Sequence, residues 1–579
     1  MINLTIDGVN VIVPEGSTIL DAAKAASIKI PTLCYHEDQA VKANCRICVV
    51  EVDGRKKLEA ACSTPVAEGM EVKTATPRVI RYRRDILELI LARHPQDCLN
   101  CHRAGNCELR NISDQLGVQK HSPRFIQDNR EHEKDTSSPS IVRDPAKCVL
   151  CTRCMTTCAE VQSVHVISKE NRGYYTNIVT AYNRNLADTA CVNCGQCYQV
   201  CPTGAIQIHD DTWKIYEAYE QGKDLVVQIA PSVRINVAEC LGEAPGTVST
   251  GRIVTALKRL GFKKVLDSNF SADLTIMEEG TELLNRIKNG GTMPMITSCC
   301  PAWIKFCETY FPDQLDHLST CKSPQQMFGA LIKTWCADKM GLEASNIYSV
   351  SVMPCTAKKF EVQRPEMNDS GYQDVDCSIT VQELANMIKV AGIDFKNLPE
   401  TPFDSPTGLG SGAGLIFGAT GGVMEAALRT VYEVVTGKEL TKLEFEAVRG
   451  FEGIKEASVD LDGTVVRVCI AHGLANARKV MDLVREGKAP YDFIEIMACP
   501  GGCIAGGGNA PRTWAKAKAR MEAIYEEEKR LPKRKSHENE EVKTCYEEFL
   551  KEPNGEKSHH LLHTTYTNRS DLLGRLRNF

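Results

Sequence analysis

Two cysteine runs with the same spacing constrain the fold of this chain most. Residues 148–158 and 191–201 each read C-x2-C-x2-C-x3-C. This is the spacing of domains that bind two 4Fe–4S clusters, in which the fourth cysteine of each run ligates the other cluster. The first cluster is therefore predicted to bind Cys148, Cys151, Cys154 and Cys201. The second is predicted to bind Cys191, Cys194, Cys197 and Cys158.

The whole chain has 579 residues, enough for several domains, and 27 cysteines. In a small secreted protein such a count would indicate disulfides. Here the chain is large, its N-terminus lacks a secretion signal, and its cysteines fall in C-x2-C runs, so several metal clusters are predicted. No apolar run approaches the length of a membrane span, and a net charge of −5 gives no basic footprint for nucleic acid. We therefore expect a soluble, cytoplasmic protein.

Residues 1–77 predict a small domain with a 2Fe–2S cluster. A strand-like MINLTIDGVNVIVPEG precedes a short predicted helix, STILDAAKAA, with Ser17 and Thr18 as candidate caps. Four cysteines follow with the spacing C-x10-C-x2-C-x13-C, which resembles the N-terminal 2Fe–2S (β-grasp, ferredoxin-like) domain of complex I-type electron-transfer subunits. A structural zinc site is the alternative. The predicted ligands are Cys34, Cys45, Cys48 and Cys62.

Residues 78–127 predict a second small domain, in which one ligand is a histidine. A helical stretch, RVIRYRRDILELILARHP, precedes the spacing H-x3-C-x2-C-x5-C. We interpret this as a 4Fe–4S site in which one imidazole makes the cluster less negative. Zinc bound by the same residues is the alternative, and His102 is treated as a bystander. The predicted ligands are His94, Cys98, Cys101 and Cys107.

The two-cluster ferredoxin-like domain is assigned to residues 128–209, and a large domain to residues 210–579. The first of these opens with REHEKDTSSPS (130–140), a polar stretch predicted to be a surface linker. In the large domain, apolar runs such as DLVVQIAP and YDFIEIMACP alternate with helical segments, which predicts an α/β fold with mixed or parallel sheets. Its GLGSGAG (408–414) does not fit a dinucleotide-binding loop in register.

Three cysteine motifs lie in the predicted loops of the large domain: TSCCPAW (297–303), MPCTAKKFE (353–361) and EIMACPGGCIAGGG (495–508). In the first motif, a disulfide between Cys299 and Cys300 would close a strained ring. Binding of one ion by both is awkward, because successive side chains of extended backbone point apart. The residues alone leave two readings: one ligand with one working thiol, or one ligand with one inert core thiol.

Together, these three motifs resemble the signatures of iron–iron (FeFe) hydrogenases, and the order of the upstream clusters resembles the monomeric, ferredoxin-linked clostridial type. The resemblance spans essentially the whole chain. It implies the reaction 2H⁺ + 2e⁻ ⇌ H₂ at an H-cluster, in which a 4Fe–4S cubane shares one cysteine sulfur with a two-iron unit that carries CO, CN⁻ and an azadithiolate. By this resemblance Cys503 is the shared ligand, and the cubane ligands are Cys300, Cys355, Cys499 and Cys503.

The resemblance also implies residues that hold the two-iron unit without a covalent bond. Lys358 would donate to one cyanide, and Pro231 with Ser232 would contact the other. Met353 and Met497 would pack against the cluster, although ordinary core packing is the alternative for both. Gln325 and Phe417 are further residues of the same expected pocket.

A proton path is implied as well, with Cys299 as the thiol that exchanges protons with the cluster. Glu279, Glu282 and Arg286 are spaced i, i+3, i+7, so they share one face if IMEEGTELLNRIKNG is helical. Ser319 would link the two glutamates, which gives the order Arg286 and Glu282, Ser319, Glu279, Cys299. The alternative is a solvated helix face with ordinary ion pairing.

The expected partners are ferredoxin or flavodoxin as electron carrier, H⁺ and H₂, and maturation enzymes for the two-iron unit, with a monomeric chain. A sensor or iron–sulfur assembly factor, and a subunit of a larger NAD(P)-linked complex, are the alternatives. The C-terminal segment is predicted to be a charged, helical cover. Its HHLLHTTY is expected to pack on the surface, and metal binding by His559, His560 and His563 is the alternative. The cysteines outside the motifs are expected to be buried thiols: Cys240, Cys307, Cys321, Cys336, Cys377, Cys469 and Cys545.

Overall fold

The computed structural model describes residues 1–95, 97–118, 124–125, 133–440, 442–461 and 463–574. Its N-terminal part is a five-stranded sheet in the order β2-β1-β5-β3-β4, crossed by one helix. The helix begins after Thr18, whose side chain accepts from the Asp21 amide while Asp21 reaches back to the Thr18 amide. The elements are β1 (Ile2–Ile6), β2 (Val9–Val13), α1 (Ile19–Ala25), β3 (Val49–Val52), β4 (Glu59–Ala60) and β5 (Glu71–Lys73).

Two helices follow, α2 (Pro77–Leu91) and α3 (Glu108–Leu116). Thr76 caps α2, and Pro77 occupies its first position, where proline is favoured because no amide is needed there. The helix ends at Leu91, so His94 lies in the turn beyond it rather than on the helix. The boundary predicted at residues 127 and 128 lies outside the described residues.

The next region contains two small antiparallel ladders and two short helices. Its predicted surface linker is wrong in its second half: Asp135 pairs with Arg143, Ser138 and Ser140 are buried, and the Ser140 hydroxyl donates to the Thr356 carbonyl at 2.7 Å. Residues 130–132 lie outside the described part of the chain. The elements are β6 (Ile141–Arg143), α4 (Arg153–Thr156), β7 (Ile167–Glu170), β8 (Asn177–Thr180), α5 (Gln196–Val200) and β9 (Ile206–Ile208).

Two four-stranded sheets form the centre of the large domain. One is entirely parallel, in the order β11-β10-β13-β14, and the other has the order β12-β17-β16-β15, with only β15 antiparallel. Strands such as β10 and β17 are buried almost throughout, as expected of strands covered on both faces, whereas β15 alternates buried and more exposed residues. The strands are β10 (Asp224–Ile229), β11 (Lys264–Asp267), β12 (Met295–Ile296), β13 (Ile347–Met353), β14 (Cys377–Thr380), β15 (Ile454–Leu461), β16 (Thr464–His472) and β17 (Phe493–Met497).

Helices surround these sheets, which gives the multidomain α/β architecture predicted from the sequence. Among the described residues, none of the helices combines the length and the apolar character that a membrane span requires. The helices are α6 (Thr212–Glu220), α7 (Val233–Cys240), α8 (Thr250–Arg259), α9 (Asn269–Asn289), α10 (Pro301–Tyr310), α11 (Pro324–Ile332), α12 (Trp335–Met340), α13 (Lys358–Glu361), α14 (Val381–Val390), α15 (Gly412–Ile416), α16 (Gly422–Thr436), α17 (Leu474–Arg485), α18 (Trp514–Arg530), α19 (Glu540–Cys545), α20 (Glu556–Leu562) and α21 (Asp571–Gly574). Short 3₁₀ turns span Pro145–Lys147, Gly173–Tyr175, Ala181–Asn183, Leu186–Asp188, Pro312–His317, Ala344–Asn346, Phe395–Asn397, Glu446–Val448, Cys503–Ala505 and Ser536–Glu538, and π turns span Thr157–Val161 and Tyr546–Leu550.

The C-terminal segment is helical, as predicted, but it is not only a surface cover. Leu561, Leu562 and His563 are buried, while His559 and His560 are exposed. The amide of Lys322 donates to the Leu562 carbonyl, and that of Thr564 to the Thr320 carbonyl, each at 2.7 Å. The prediction that all of HHLLHTTY packs on the surface is therefore wrong, because this segment pairs with a loop of the large domain.

Candidate active site and cluster sites

The three cysteine motifs of the large domain meet where its strands end. Cys300 follows β12 and precedes α10, Cys355 follows β13, and Cys499 follows β17. Because β12 and β17 belong to one sheet and β13 to the other, the carboxyl ends of the two sheets bring these loops together. Cys503 comes from the turn after Cys499. The four thiols line one cavity of about 90 Å³.

The donor set of this cavity fits a cubane cluster. Burial raises the pKa of all four thiols, so they do not become thiolates without a metal that favours the charged form. Backbone comes unusually close at Gly502, where φ is +90° and an added Cβ would lie 2.6 Å from the Thr420 amide nitrogen. Only glycine fits there, and it lets the chain turn between Cys499 and Cys503.

The same cavity is lined by all the residues expected to hold a two-iron unit. Among them, Ser232 is buried, and its hydroxyl has no hydrogen-bond partner among the described residues. A buried polar group without a partner is unfavourable, so this hydroxyl fits a polar ligand in the cavity. The shared lining consists of Pro231, Ser232, Cys299, Gln325, Met353, Lys358, Phe417 and Met497.

Lys358 is held at the cavity by hydrogen bonds from its ammonium group. The group donates to the Cys299 carbonyl at 3.2 Å and to the Glu361 carboxylate at 2.8 Å. Gln325 is less available to a ligand, because its side chain donates to Glu361 at 2.9 Å and accepts from Ser351 at 2.7 Å. Glu361 was missed by sequence reasoning, although its spacing of three from Lys358 in one short helix was the available signal.

The expected proton path lies beside the cavity, on α9. This helix places Glu279, Glu282 and Arg286 on one face, and both glutamates are buried. The alternative of a solvated face is therefore wrong. Glu282 accepts from Arg286 at 2.6 Å and from the Ser319 hydroxyl at 2.7 Å.

Glu279 is the most unusual group of this path. It is 1% exposed, and neither carboxylate oxygen has a hydrogen-bond partner among the described residues. Burial, and then repulsion from Glu282, raises its pKa to about 8, although the Ser298 amide and the Ser319 hydroxyl lie near enough to lower it slightly without reaching hydrogen-bond geometry. Burial, then Glu279, also raises the pKa of the Cys299 thiol. Both groups thus hold protons near neutral pH.

Two further cavities divide the ferredoxin-like cysteines into two sets, with the fourth cysteine of each run exchanged. One cavity is lined by Cys148, Cys151, Cys154 and Cys201. The other is lined by Cys158, Cys191, Cys194 and Cys197. Each cavity has a volume of about 30 Å³. These are the two ligand sets that the spacing predicts.

The N-terminal cysteines also come together. The Cys48 and Cys62 sulfurs are 3.5 Å apart, and the Cys45 amide lies 3.5 Å from the Cys34 sulfur. In the next domain, His94 follows α2, Cys98 is exposed, Cys101 is half-buried and Cys107 is buried at the start of α3. His102 lines a separate surface groove.

The cysteine sites form a continuous series towards the large cavity. From the 2Fe–2S domain, Asn44 donates to the Leu150 carbonyl at 2.8 Å, and from the next domain Arg103 donates to the Cys201 carbonyl at 2.8 Å. Both small domains therefore contact the set that contains Cys201. On the other side, an added Cβ on Gly507 would lie 2.4 Å from the Cys194 carbonyl oxygen, so the glycine loop after Cys503 packs directly on the second ferredoxin-like set.

Comparisons with known proteins agree with this geometry. Residues 223–507 match the family described as iron only hydrogenase large subunit, C-terminal domain, and residues 515–569 match iron hydrogenase small subunit. The chain is 49% identical over 586 residues to the NADP-reducing hydrogenase subunit HndD of Solidesulfovibrio fructosivorans, covering 99% of this chain and 100% of that protein. The chain belongs to the iron–iron hydrogenase family. An iron–iron hydrogenase with accessory iron–sulfur domains is accordingly what the sequence encodes.

Other similarities extend over the accessory domains and the catalytic fold. Iron hydrogenase 1 of Clostridium pasteurianum is 39% identical, covering 98% of this chain and 100% of that protein. The structure of an apo HydA1 variant from Chlamydomonas reinhardtii is 41% identical with a TM-score of 0.55, covering 61% of this chain and 98% of that one. Residues 1–77 match a 2Fe-2S iron-sulfur cluster binding domain, 83–122 the iron-sulfur binding region of NADH-ubiquinone oxidoreductase-G, and 147–206 a 4Fe-4S dicluster domain. These matches favour iron–sulfur clusters over zinc in this hydrogenase.

Proposed function

We propose that this hydrogenase exchanges electrons with ferredoxin or flavodoxin and carries one 2Fe–2S cluster, three accessory 4Fe–4S clusters and an H-cluster. The observation that carries the proposal is the series of cysteine sites that ends at a cavity with a buried acid and a half-buried thiol beside it. The histidine of one accessory site, His94, and the cluster count are part of the proposal. A monomeric, cytoplasmic protein remains our prediction.

The H-cluster would be held by Cys300, Cys355, Cys499 and Cys503, and when bound it supplies the redox centre at which protons and electrons combine. Around it, the hydroxyl of Ser232 and the ammonium group of Lys358 are the donors available to polar ligands of the cluster. Met353, Met497 and Phe417 exclude water from the cavity, since their side chains are apolar and buried. Exclusion of water strengthens the remaining polar contacts.

The proton path is assigned to five side chains. Glu282 would take protons at the surface, because its side chain retains 11% exposure. Arg286, whose side chain retains 13% exposure, would hold that carboxylate in place, since a guanidinium group has no site that accepts a proton. The Ser319 hydroxyl, which donates to Glu282, would pass them to Glu279, and Glu279 to the Cys299 sulfur. A pKa of about 8 suits Glu279 to this role, since it both gains and loses protons near neutral pH.

A second candidate concerns the electron partner. The chain resembles a protein named as a subunit of an NADP-reducing hydrogenase over nearly its full length. This favours a role as the hydrogen-reacting subunit of an NAD(P)-linked assembly. In such an assembly, the nucleotide site would belong to a partner. The glycine-rich GLGSGAG of this chain does not offer such a nucleotide site, because it packs closely against the start of α9. An added Cβ on Gly410 would lie 2.3 Å from the Asn269 Cβ.

The test measures H₂ evolution by anaerobic, fully matured protein with three electron sources: reduced methyl viologen, reduced ferredoxin, and NADPH. Evolution with methyl viologen and ferredoxin, and none with NADPH, is expected of the purified chain. The assembly would be favoured if NADPH supports evolution only after native cell extract is added, and if this activity is lost when size-exclusion chromatography separates the chain from the extract. No evolution from methyl viologen at full iron content would refute the active-site assignment itself.

A further inference from the structure

A cluster of metal-ligating side chains lies against the proton path, outside the cysteine sites described above. Glu282, Cys321 and His563 each offer one ligand atom, and these atoms lie within 4.8 Å of one another. All three residues are buried. Carboxylate, thiolate and imidazole are the ligand types with which proteins bind Zn²⁺. Neither Cys321 nor His563 has a role in the proposed reaction.

The two oxygens of Glu282 are used differently. Oε1 accepts from Arg286 at 2.6 Å, whereas Oε2 accepts from the Ser319 hydroxyl at 2.7 Å and lies 3.7 Å from the Cys321 sulfur. The Thr320 amide contacts both oxygens, at 3.2 and 3.1 Å. Zn–S and Zn–O bonds of about 2.3 and about 2.0–2.2 Å in a tetrahedral site bring neighbouring S and O ligands to a similar separation. Oε2 and the sulfur therefore have the spacing of two ligands to one ion before any ion binds.

The third ligand, His563, is oriented by a neighbouring carboxylate. His563 Nε2 lies 3.2 Å from Oε2 of Glu278, a buried carboxylate that also accepts from the Tyr546 hydroxyl at 2.5 Å. Such a carboxylate behind a histidine is the common arrangement that fixes metal-ligating rings. The other nitrogen, Nδ1, now lies 2.7 Å from the Thr320 hydroxyl oxygen. It is the nitrogen left to face an ion.

The backbone holds two of the ligands in register. Cys321 and His563 are paired in an antiparallel bridge. Three residues after His563, the Tyr566 hydroxyl donates to the Ser319 carbonyl of the same loop as Cys321. Because the C-terminal segment is fixed to the loop in this way, Cys321 and His563 are held near each other, and preorganised ligands bind more tightly. An ion must still displace the Thr320 hydroxyl from Nδ1 and the Ser319 hydroxyl from Oε2.

We propose that Glu282, Cys321 and His563 form a binding site for Zn²⁺ or Cd²⁺, and that a bound ion stops hydrogen turnover by withdrawing Glu282 from the proton path. The inhibitory half of this proposal rests on the proposed role of Glu282. On binding, Cys321 loses its proton to the buffer. The thiolate and carboxylate then balance the charge of the ion, and Ser319 loses its acceptor on Glu282 Oε2. The partly exposed side chains of Arg286 and Glu282 form the mouth through which the ion enters.

The experiment uses anaerobic, fully matured enzyme in a buffer without thiols or chelators. Zn²⁺ or Cd²⁺ is added, excess is removed by gel filtration, and retained metal and iron per chain are measured together with H₂ evolution from reduced methyl viologen. We expect each wild-type chain to retain one ion that is lost when Cys321 or His563 is replaced, and we expect the iron content to stay unchanged. Turnover should be lost when the ion binds and should return when EDTA removes it. Cys321→Ser and His563→Gln should each raise the half-inhibiting concentration at least about tenfold.

A matched control is present in the chain. Glu433, His537 and Glu538 form a second group with ligand atoms within 4.8 Å, but these residues are only partly buried, and none of them is assigned to the proton path. His537→Asn should leave the half-inhibiting concentration unchanged. Each variant is compared with its own uninhibited rate, and His563→Gln serves if Cys321→Ser does not fold.

The possible results separate the site from its effect. No retained ion on the wild type, or equal inhibition of wild type and both variants, would overturn the site. Retention that is lost in the variants, without any inhibition of the wild type, would overturn the inhibitory role and remove Glu282 from the proton path. An enzyme inactive before metal is added would count against the proposed function, while metal retention still tests the site.

Discussion

Replacing Glu279 with glutamine gives a sharp test of the proton path, because stability and turnover should change in opposite directions. The carboxyl group is buried and has no hydrogen-bond partner among the described residues, and its pKa is raised from 4.5 to about 8. At pH above 8, ionising it in the folded protein costs up to about 5 kcal/mol relative to the unfolded chain. Glutamine has similar shape and never ionises.

The direction with pH follows from proton binding. Below pH 4.5 the carboxyl is protonated in both folded and unfolded chains, so the substitution changes little. Between pH 4.5 and about 8 the folded state keeps a proton that the unfolded state has lost, so wild-type stability falls as pH rises. Glu279→Gln lacks this slope. The free energy of unfolding of the variant should therefore exceed that of the wild type by an amount that grows from pH 4.5 to about 8 and is constant above pH 8.

Turnover should fall while stability rises. Loss of a positioned proton donor and acceptor lowers rates by about 10²–10⁴-fold. The assays are H₂ evolution and chemical denaturation at several pH values. Infrared difference spectroscopy then follows the protonated carboxyl band, which glutamine removes. Glu279→Asp is the control that keeps a carboxyl group. A band titrating at the ordinary value of 4.5, or turnover of the glutamine variant within twofold of the wild type, would refute the reasoning.

Three further substitutions test other parts of the site. Cys299→Ala should lower H₂ evolution by about 10²-fold or more with iron per chain unchanged, and normal turnover would remove this thiol from the path. Ser319→Ala removes the 2.7 Å hydrogen bond to Glu282 and should lower turnover about tenfold, with little change in the unfolding midpoint; a large shift in that midpoint would instead indicate a structural role. Gly507→Ala forces a Cβ to 2.4 Å from the Cys194 carbonyl oxygen and should destabilise the protein by about 1–3 kcal/mol, measured by denaturation. Unchanged stability would show that this contact adapts.

Much of the site was predictable because cysteine spacing and chain direction carry geometric information. Identical C-x2-C-x2-C-x3-C runs predict two exchanged ligand sets, and the structure lines two cavities with those sets. Apolar strands followed by cysteine loops predict ligands at the carboxyl ends of a parallel sheet. The i, i+3, i+7 spacing predicts a shared helix face, but it does not tell whether that face is buried. Only packing around α9 decides that Glu279 lies at 1% exposure.

What could not be predicted depends on pairings between distant segments. His563 was expected on the surface, and it is buried because residues 562–564 pair with residues 320–322, some 240 positions earlier. Likewise, Ser140 stands in a polar stretch and is buried because its hydroxyl meets the Thr356 carbonyl. Local composition gave the wrong result in both cases, since each short polar segment satisfies its hydrogen bonds against another part of the chain rather than with water.

The proposed paths of electrons and protons reach the cavity through different parts of the fold. Electrons would arrive where the Gln199 side chain donates to the Asn509 carbonyl at 2.9 Å and Gly507 packs on Cys194, next to the loop that carries Cys499 and Cys503. Protons would arrive at Cys299, from α9 and the loop of Ser319. Because the two paths use different loops of the same cavity, a change in one can leave the other intact. The proton side is also held by the C-terminal segment, because residues 562–564 pair with residues 320–322, next to Ser319.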